Sequence, residues 1–256
     1  MGITLRDRLS KALSGRARIL RWGALARLTV AAIAICPSFA SADLDEHNYL
    51  PSVLNHLQKA KSALESGQDG LAVAHSRMIL HDQGIRVFID LSETPSSLQE
   101  SCRKAALKAV ETWNETLGAG SLNLVDTAGA AEARIVFSKE VLLRGVQVGG
   151  YCAQSRSVSF STNGSAVGTY SATIYSRYQL PSGQLLSDDC LVNVVTHEIG
   201  HMYGLNDCAD SSHLMGALNP SKPKTDLQAD ELEALRQLRL MAFEIQRTID
   251  ARSKGN

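Results

Sequence analysis

Apolar residues recur at helical spacing in two consecutive stretches near the start of the chain. LPSVLNHLQKAKSALESG ends at Gly67, and DGLAVAHSRMILHDQG ends at Gly84. Glycine commonly ends helices because it adopts positive φ without steric cost. The pattern therefore predicts a helical hairpin over residues 43–84. Its role stays open between a pro-segment, a small docking module and additional packing for the main domain, and packing is the interpretation that we favour.

From Ile85 onwards, apolar and polar residues alternate with the period of two that is typical of strands. The predicted strands are IRVFIDLS, SLNLVDT, ARIVFS, GYCAQSRSVSFSTNG and SATIYSRYQL. A helix is predicted between the first two strands, with Ser96 or Ser97 as its N-cap and with Gly118 and Gly120 at its end.

Two further helices are predicted in the last third of the chain. LVNVVTHEIGHMYGL has Asp188 or Asp189 near its start and Gly204 at its end. A long amphipathic helix follows and begins at Thr225 or Asp226. This order of elements predicts an α+β or α/β domain with one sheet over residues 85–256.

The first 42 residues have the pattern of a secretory signal peptide. A basic stretch precedes the apolar run Leu28 to Cys36, and Ala40-Ser41-Ala42 has the small-x-small pattern of a cleavage site. The apolar run is much shorter than the ~20 residues that span a bilayer. We therefore expect a signal peptide over residues 1–42, no membrane association after its cleavage, and a secreted or periplasmic protein.

Removal of the signal peptide changes the charge of the chain. It takes away seven of the 26 basic residues and one of the 26 acidic ones, which leaves a formal net charge of −6. A polyanion such as nucleic acid is therefore an unfavourable partner.

Four cysteines remain in the expected mature chain. An even number of cysteines in an oxidising compartment favours disulfides, so two are predicted, and their pairing stays open. The four are Cys102, Cys152, Cys190 and Cys208.

The stretch VVTHEIGHMYGLNDC places two histidines four residues apart on a predicted helix. Residues with this spacing lie on one helix face, so His197 and His201 can direct imidazole nitrogens at a single ion. Glu198 lies about 100° further round the helix, which keeps it out of direct coordination but within reach of a water at the ion. The pattern is typical of a zinc site with an adjacent general base.

A third metal ligand is expected just after this helix. Gly204 can adopt the left-handed conformation that turns the chain back, and Asp207 follows three residues later. Asp207 is the ligand that we favour. A glutamate further along the chain would instead indicate a thermolysin-like arrangement, against which Gly204 argues. The alternatives left open are Asp210, Cys208, His213, Glu231 and Glu233.

The string HEIGHMYGLND, residues 197–207, resembles the metzincin metallopeptidases, whose pattern is HExxHxxGxxH followed by a methionine turn. Asp207 stands where most members have histidine. The snapalysin family of that clan also has aspartate there, and Leu214-Met215-Gly216 resembles its methionine turn. The matrixin-like order of elements extends the resemblance to about residues 85–245, although only residues 194–217 are specific.

This resemblance implies an α+β, metzincin-like fold with a twisted, mostly parallel five-stranded sheet and an active-site helix. A small C-terminal lobe ending in a long helix would complete it. The implied function is that of a secreted zinc-dependent endopeptidase. His197, His201 and Asp207 would bind Zn²⁺, and Glu198 would be the general base for a zinc-activated water. Met215 would form an apolar floor beneath the ligands.

The resemblance also implies how a peptide or protein substrate binds. The peptide would lie along an edge strand, for which residues 148–161 are the candidate by position, and the specificity pocket would be walled by residues 217–220. Two other functions stay open. The chain could be an inactive zinc-binding interaction module that docks through residues 43–84 and 225–252, or a binding domain with an accidental motif. The oligomeric state is not predicted.

Overall fold

Two packed helices precede the sheet in the computed structural model, which describes residues 44–255. They are α1 (Pro51–Glu65) and α2 (Asp69–Leu80). Pro51 begins α1, where its fixed φ suits the first turn, and Gly67 has a φ of 69° in the connecting turn. The predicted helical hairpin is confirmed. The predicted signal peptide lies outside the described residues.

Seven strands follow: β1 (Ile85–Asp90), β2 (Leu122–Leu124), β3 (Ala133–Ser138), β4 (Leu142–Leu143), β5 (Val146–Gln147), β6 (Gly150–Phe160) and β7 (Ala166–Arg177). Five of them form one sheet in the order β2-β1-β3-β7-β6. The β2-β1-β3-β7 neighbours are parallel, and β6 runs antiparallel to β7 at the edge. The mostly parallel five-stranded sheet is therefore confirmed. The small β4-β5 hairpin was not predicted.

Three more helices complete the fold: α3 (Gln99–Leu117), α4 (Asp188–Met202) and α5 (Ala229–Gly255). The helices cover one face of the sheet, as the alternation along β7 shows. Tyr170, Ala172, Ile174 and Ser176 are buried there, whereas the residues between them are more exposed. The hairpin shares its core with the rest of the described chain. No helix within residues 44–255 is long and apolar enough to cross a bilayer. The α+β class is confirmed.

Two predicted helix starts are wrong. Helix α3 begins at Gln99 without a side-chain cap from Ser96 or Ser97, because the preceding residues form a turn closed by Leu98 N–H donating to the Pro95 carbonyl.

The last helix, α5, begins at Ala229 rather than at Thr225 or Asp226. The Glu231 carboxylate accepts the Gln228 N–H at 2.7 Å, as in a capping box.

The predicted disulfides are absent, and all four cysteines are free thiols. Cys102 lies on α3 and Cys190 on α4, whereas Cys152 lies in β6 and Cys208 in the loop after α4. Two of the sulfur atoms contact backbone carbonyls instead, Cys190 Sγ at Pro220 and Cys208 Sγ at Asp210. An even number of cysteines says nothing about whether their Cα atoms come close enough to be bridged.

Candidate active site

Two imidazole rings on α4 present their Nε2 atoms to the same carboxylate oxygen. The Nδ1 atoms of His197 and His201 lie 2.8 and 2.9 Å from the carbonyl oxygens of Leu214 and Leu205. Each Nδ1 carries the hydrogen, because a carbonyl only accepts. The two Nε2 atoms lie 3.2 and 3.5 Å from Asp207 Oδ1. The fold thus brings the three predicted ligand groups together.

The arrangement of these atoms fits a tetrahedral cation. When the hydrogen of a neutral imidazole is on Nδ1, its Nε2 atom carries a lone pair. This lone pair points at a lone pair of the Asp207 carboxylate, and the two repel each other unless a positive charge lies between them. Ligand atoms placed about 2.0–2.2 Å from a tetrahedral zinc ion are roughly 3.4 Å apart. The separations of 3.2 and 3.5 Å agree with this value. The donor set therefore fits zinc.

The pKa shifts indicate that this point attracts positive charge. Without a metal ion, protonated His197 and His201 donate hydrogen bonds from Nε2 to Asp207, and these bonds hold the pKa of Asp207 below its usual range. Burial alone would lower the pKa of His197, but the hydrogen bond to Asp207 and the charge of Glu198 outweigh it, and the pKa is raised. The Asp207 side chain is 72% exposed, so water weakens these interactions.

Asp207 owes its position to the turn that ends α4. Tyr203 is the C-cap, and Gly204 follows with a φ of 96°, so the predicted chain reversal is present. Gly204 is also sterically required, because an added Cβ would lie 3.0 Å from Val53 and 3.1 Å from Leu238. The turn returns the chain towards the imidazoles.

Glu198 lies beside the ligand atoms but is deeply buried. Its side chain is 4% exposed, and one carboxylate oxygen lies within 4.8 Å of ligand nitrogens of both histidines. One of its two carboxylate oxygens, Oε2, has no hydrogen-bond partner within the described chain. Burial raises the pKa of Glu198, although the two neighbouring histidines oppose this. A buried, partly unsatisfied carboxylate is stabilised by a nearby cation and is a stronger base than an exposed one.

Met215 and Glu231 form the underside of the site. Met215 is 2% exposed, and its Sδ packs against Gly200 on α4. Glu231 accepts the Met215 N–H at 2.7 Å and is itself buried. It therefore holds the methionine turn through the backbone and is not placed as a metal ligand. Glu233 is exposed and pairs with Arg236, which also removes it as a ligand.

The other alternative ligands bind each other or the backbone. His213 Nε2 contacts Asp230 at 2.9 Å, and its Nδ1 lies 3.3 Å from Asp210. Cys208 Sγ contacts the Asp210 carbonyl. Across residues 44–255, the cluster of side chains that could hold a metal consists of His197, Glu198 and His201, and it includes neither Asp207 nor any of these alternatives. Asp207 differs from the alternatives in that one of its carboxylate oxygens contacts the Nε2 atoms of both histidines.

A cleft of about 560 Å³ opens over these residues. It is lined by residues 148–152 and Gln154, which include the start of β6, by residues of α4, and by residues 216–218. The edge strand predicted at 148–161 is β6, and it borders the cleft as expected. Leu218 and Val194 give the cleft an apolar part next to His197.

Two residues of β6 that the sequence analysis did not identify support α4. Gln154 Nε2 donates to the His201 carbonyl at 2.9 Å. Arg156 donates to the Met202 carbonyl and to the Met78 carbonyl. Both residues lie in the continuous polar run from Gln154 to Ser157, so no local signal distinguishes them from solvent-facing residues. They tie the end of α4 to the sheet and to α2.

Comparisons with known proteins identify a family for the chain. A family profile described as Metallo-peptidase family M12 matches residues 104–243, which is more than half of the chain. Archaemetzincin from Methanopyrus kandleri, solved as a crystal structure, is similar with a TM-score of 0.40 and 12% sequence identity over 61% of this chain and 96% of that chain. No curated protein matches the chain.

Proposed function

Because the chain belongs to metallopeptidase family M12, we propose that it is a zinc-dependent endopeptidase of the metzincin type. The observation that carries this proposal is the convergence of three ligand atoms beside a buried carboxylate. The imidazoles of His197 and His201 and the carboxylate of Asp207 meet at one point, and Glu198 lies next to it.

We assign His197, His201 and Asp207 as the zinc ligands. Glu198 is the less suitable ligand, because it follows His197 directly on the helix and is 4% exposed, whereas the Asp207 side chain is 72% exposed. Asp207 comes from outside the helix and reaches both nitrogens. Aspartate at this position resembles the snapalysin variant of the metzincin pattern.

When bound, zinc would supply positive charge that polarises the substrate carbonyl and lowers the pKa of a nearby water. Glu198 would take the proton of that water and deliver it to the leaving amine. Its burial favours this role, since a carboxylate with a raised pKa accepts a proton more readily at neutral pH. The carbonyl bonds to the Nδ1 atoms of His197 and His201 hold the rings in the required orientation.

The substrate would bind as an extra strand along β6. This strand is at the edge of the sheet, so its outer main-chain groups are available to a peptide. Gly150 to Gln154 line the cleft next to Glu198. Ala217 and Leu218 on the opposite wall would contact a substrate side chain.

The general-base role is tested by Glu198→Gln, with Glu233→Gln as the matched surface control. The Glu198 variant should retain zinc, measured by metal analysis, and lose about 10²- to 10⁴-fold in cleavage of a peptide library. The control should match the wild type. Unchanged turnover of Glu198→Gln would remove it from the mechanism. A wild-type chain that binds zinc without cleavage would favour the interaction module, and one without bound metal would make the motif accidental.

The ligand assignment is tested by Asp207→Ala, with Asp210→Ala as the control. Loss of a ligand should weaken zinc binding more than tenfold in a chelator competition, whereas loss of Asp210 should not. Equal zinc affinity in the two variants would move the third ligand away from Asp207.

We also propose that the chain is exported and cleaved after Ala42. The support is the order of basic, apolar and small residues in positions 1–42. Mass spectrometry of the protein from the periplasm and the medium should give a chain that begins at Asp43. A mature protein that keeps residues 1–42 would contradict the proposal.

A further inference from the structure

We infer that residues 44–80 are a permanent part of the folded peptidase and that the segment His47–Leu50 positions the loop that carries Asp207. This inference rests on the proposed function only in taking Asp207 as a zinc ligand. The family match begins at residue 104, so nothing in it assigns a role to this segment.

The segment pairs with the loop through three hydrogen bonds. Leu50 N–H donates to the Gly204 carbonyl at 2.9 Å, and Asn206 N–H donates to the Asn48 carbonyl at 2.9 Å. The Asn206 side-chain amide also donates to the His47 carbonyl at 3.1 Å. Asn206 directly precedes Asp207, so these bonds restrict the ligand's backbone.

The same pairing orients a second ligand. Leu205 lies between the two bonded loop residues and forms an antiparallel bridge with Tyr49. The Leu205 carbonyl accepts the Nδ1 hydrogen of His201. One short pairing thus fixes the loop before Asp207 and the carbonyl that holds the His201 ring.

The segment is itself anchored in the core. Tyr49 is 1% exposed, and its hydroxyl donates to the Ala234 carbonyl on α5 at 3.0 Å. Val53, the third residue of α1, is fully buried and packs at Gly204. The pairing therefore rests on side chains that would have to leave the core for the segment to detach.

A second attachment joins α2 to the end of α4. The Arg156 guanidinium donates to the Met78 carbonyl at 3.0 Å and to the Met202 carbonyl. Met202 adjoins His201. The hairpin is thus connected to the metal-binding region at both of its helices.

The hairpin does not occupy the cleft, as an inhibitory pro-segment would. Leu50 is the one member of residues 44–84 that lines the cleft. The ligand nitrogens of His197 and His201 face Asp207, which is not part of the hairpin. Of the three roles left open by the sequence, permanent packing agrees with these contacts.

A cleavable linker tests the inference. Residues 66–68 between α1 and α2 are exposed, so a specific protease site inserted there can be cut in the folded mature chain. The fragment that begins before His47 should stay bound during gel filtration. When urea separates it, zinc affinity measured by chelator competition should fall at least tenfold. A fragment that leaves while zinc affinity and peptidase activity persist, or while activity rises, would overturn the inference.

A point variant tests the positioning role separately. Asn206→Ala removes the bond to the His47 carbonyl and should lower zinc affinity about tenfold, the lower end of the range for groups that orient metal ligands. Arg252→Gln is the matched control, because Arg252 bonds the Leu64 carbonyl at the other end of α1, and it should leave zinc affinity unchanged. Equal zinc affinity in both variants would refute the positioning role. Zinc affinity and fragment retention can be measured without any peptidase activity, so they test the positioning role alone. A failure of the proposed function would be recognised separately, in the cleavage assay with Glu198→Gln.

Discussion

Gly150→Ala should damage the site through one methyl group. An added Cβ would lie 2.6 Å from Val194 Cγ1, 2.8 Å from the Tyr175 carbonyl oxygen and 2.9 Å from Glu198 Oε1. Ordinary contacts of this kind are about 3.5–4.0 Å, so the shortfall is close to 1 Å. The Val194 and Glu198 side chains can rotate, but the Tyr175 carbonyl belongs to the backbone of β7. Overpacking of this kind costs about 1–3 kcal/mol.

Gly150→Ala should also lower the rate of the reaction. A displacement of about 1 Å in a reacting group costs about 10²-fold in rate, and Glu198 is one of the two side chains that must move. We therefore expect kcat for peptide cleavage to fall about 100-fold while zinc stays bound, because the three atoms nearest to the added Cβ belong to Val194, Tyr175 and Glu198 and to none of the proposed ligands.

The neighbouring glycine provides the control. A Cβ at Gly149 would lie 3.8 Å from Val194 and 3.9 Å from Leu218, which are ordinary contacts. Gly149→Ala should keep kcat and the unfolding temperature close to those of the wild type. The assays are peptide cleavage, metal analysis and thermal unfolding of the zinc-loaded proteins. Full activity in Gly150→Ala, or equal damage in both variants, would refute the argument that Gly150 makes room for Glu198.

Three further results are expected. Zinc chelation should lower the free energy of unfolding by about 4 kcal/mol when free zinc had been 1,000-fold above Kd, measured by thermal unfolding before and after re-addition. Trp113→Phe should cost about 1–3 kcal/mol in urea unfolding, because the Thr196 carbonyl loses the buried indole donor at 2.9 Å. Burial, with a smaller effect of His75, lowers the pKa of His56 to about 4 from 6.5, so the unfolded chain binds the proton first. The contribution of His56 to the free energy of unfolding should be complete above about pH 6.5 and should fall by about 3 kcal/mol towards pH 4. With both proteins free of zinc, His56→Gln should therefore lose less stability than the wild type over this range.

Local patterns account for what could be predicted. His197 and His201 are four residues apart, so they lie on the same face of a helix whatever that helix packs against. Gly204 follows the end of this helix because glycine adopts its positive φ without steric cost. The strands followed from alternation and the hairpin from periodicity. These features depend on neighbours within a few residues, which a single sequence contains.

Contacts between distant segments were not predictable in the same way. The partners of Asn206 in the N-terminal segment are about 160 residues away, and no sequence spacing expresses their pairing. The disulfide prediction failed for the same reason, since it counted cysteines without their positions in space. Glu231 was considered as a ligand because of its chemistry, whereas its place at the start of α5 directs it to backbone N–H groups.

Arg156 shows how the fold uses one such contact to support the site. Burial lowers the pKa of its guanidinium, and no carboxylate within residues 44–255 forms an ion pair with it. Its partners are instead carbonyls at the ends of α2 and α4, where helix dipoles place partial negative charge, together with the Gln154 amide oxygen at 2.6 Å and the Tyr170 ring. The two helix ends and these neutral groups together stabilise the buried cation. The Arg156 guanidinium on β6 thus connects the hairpin to the sheet. Because Met202 directly follows His201, the same guanidinium also holds the end of the metal-binding helix in place.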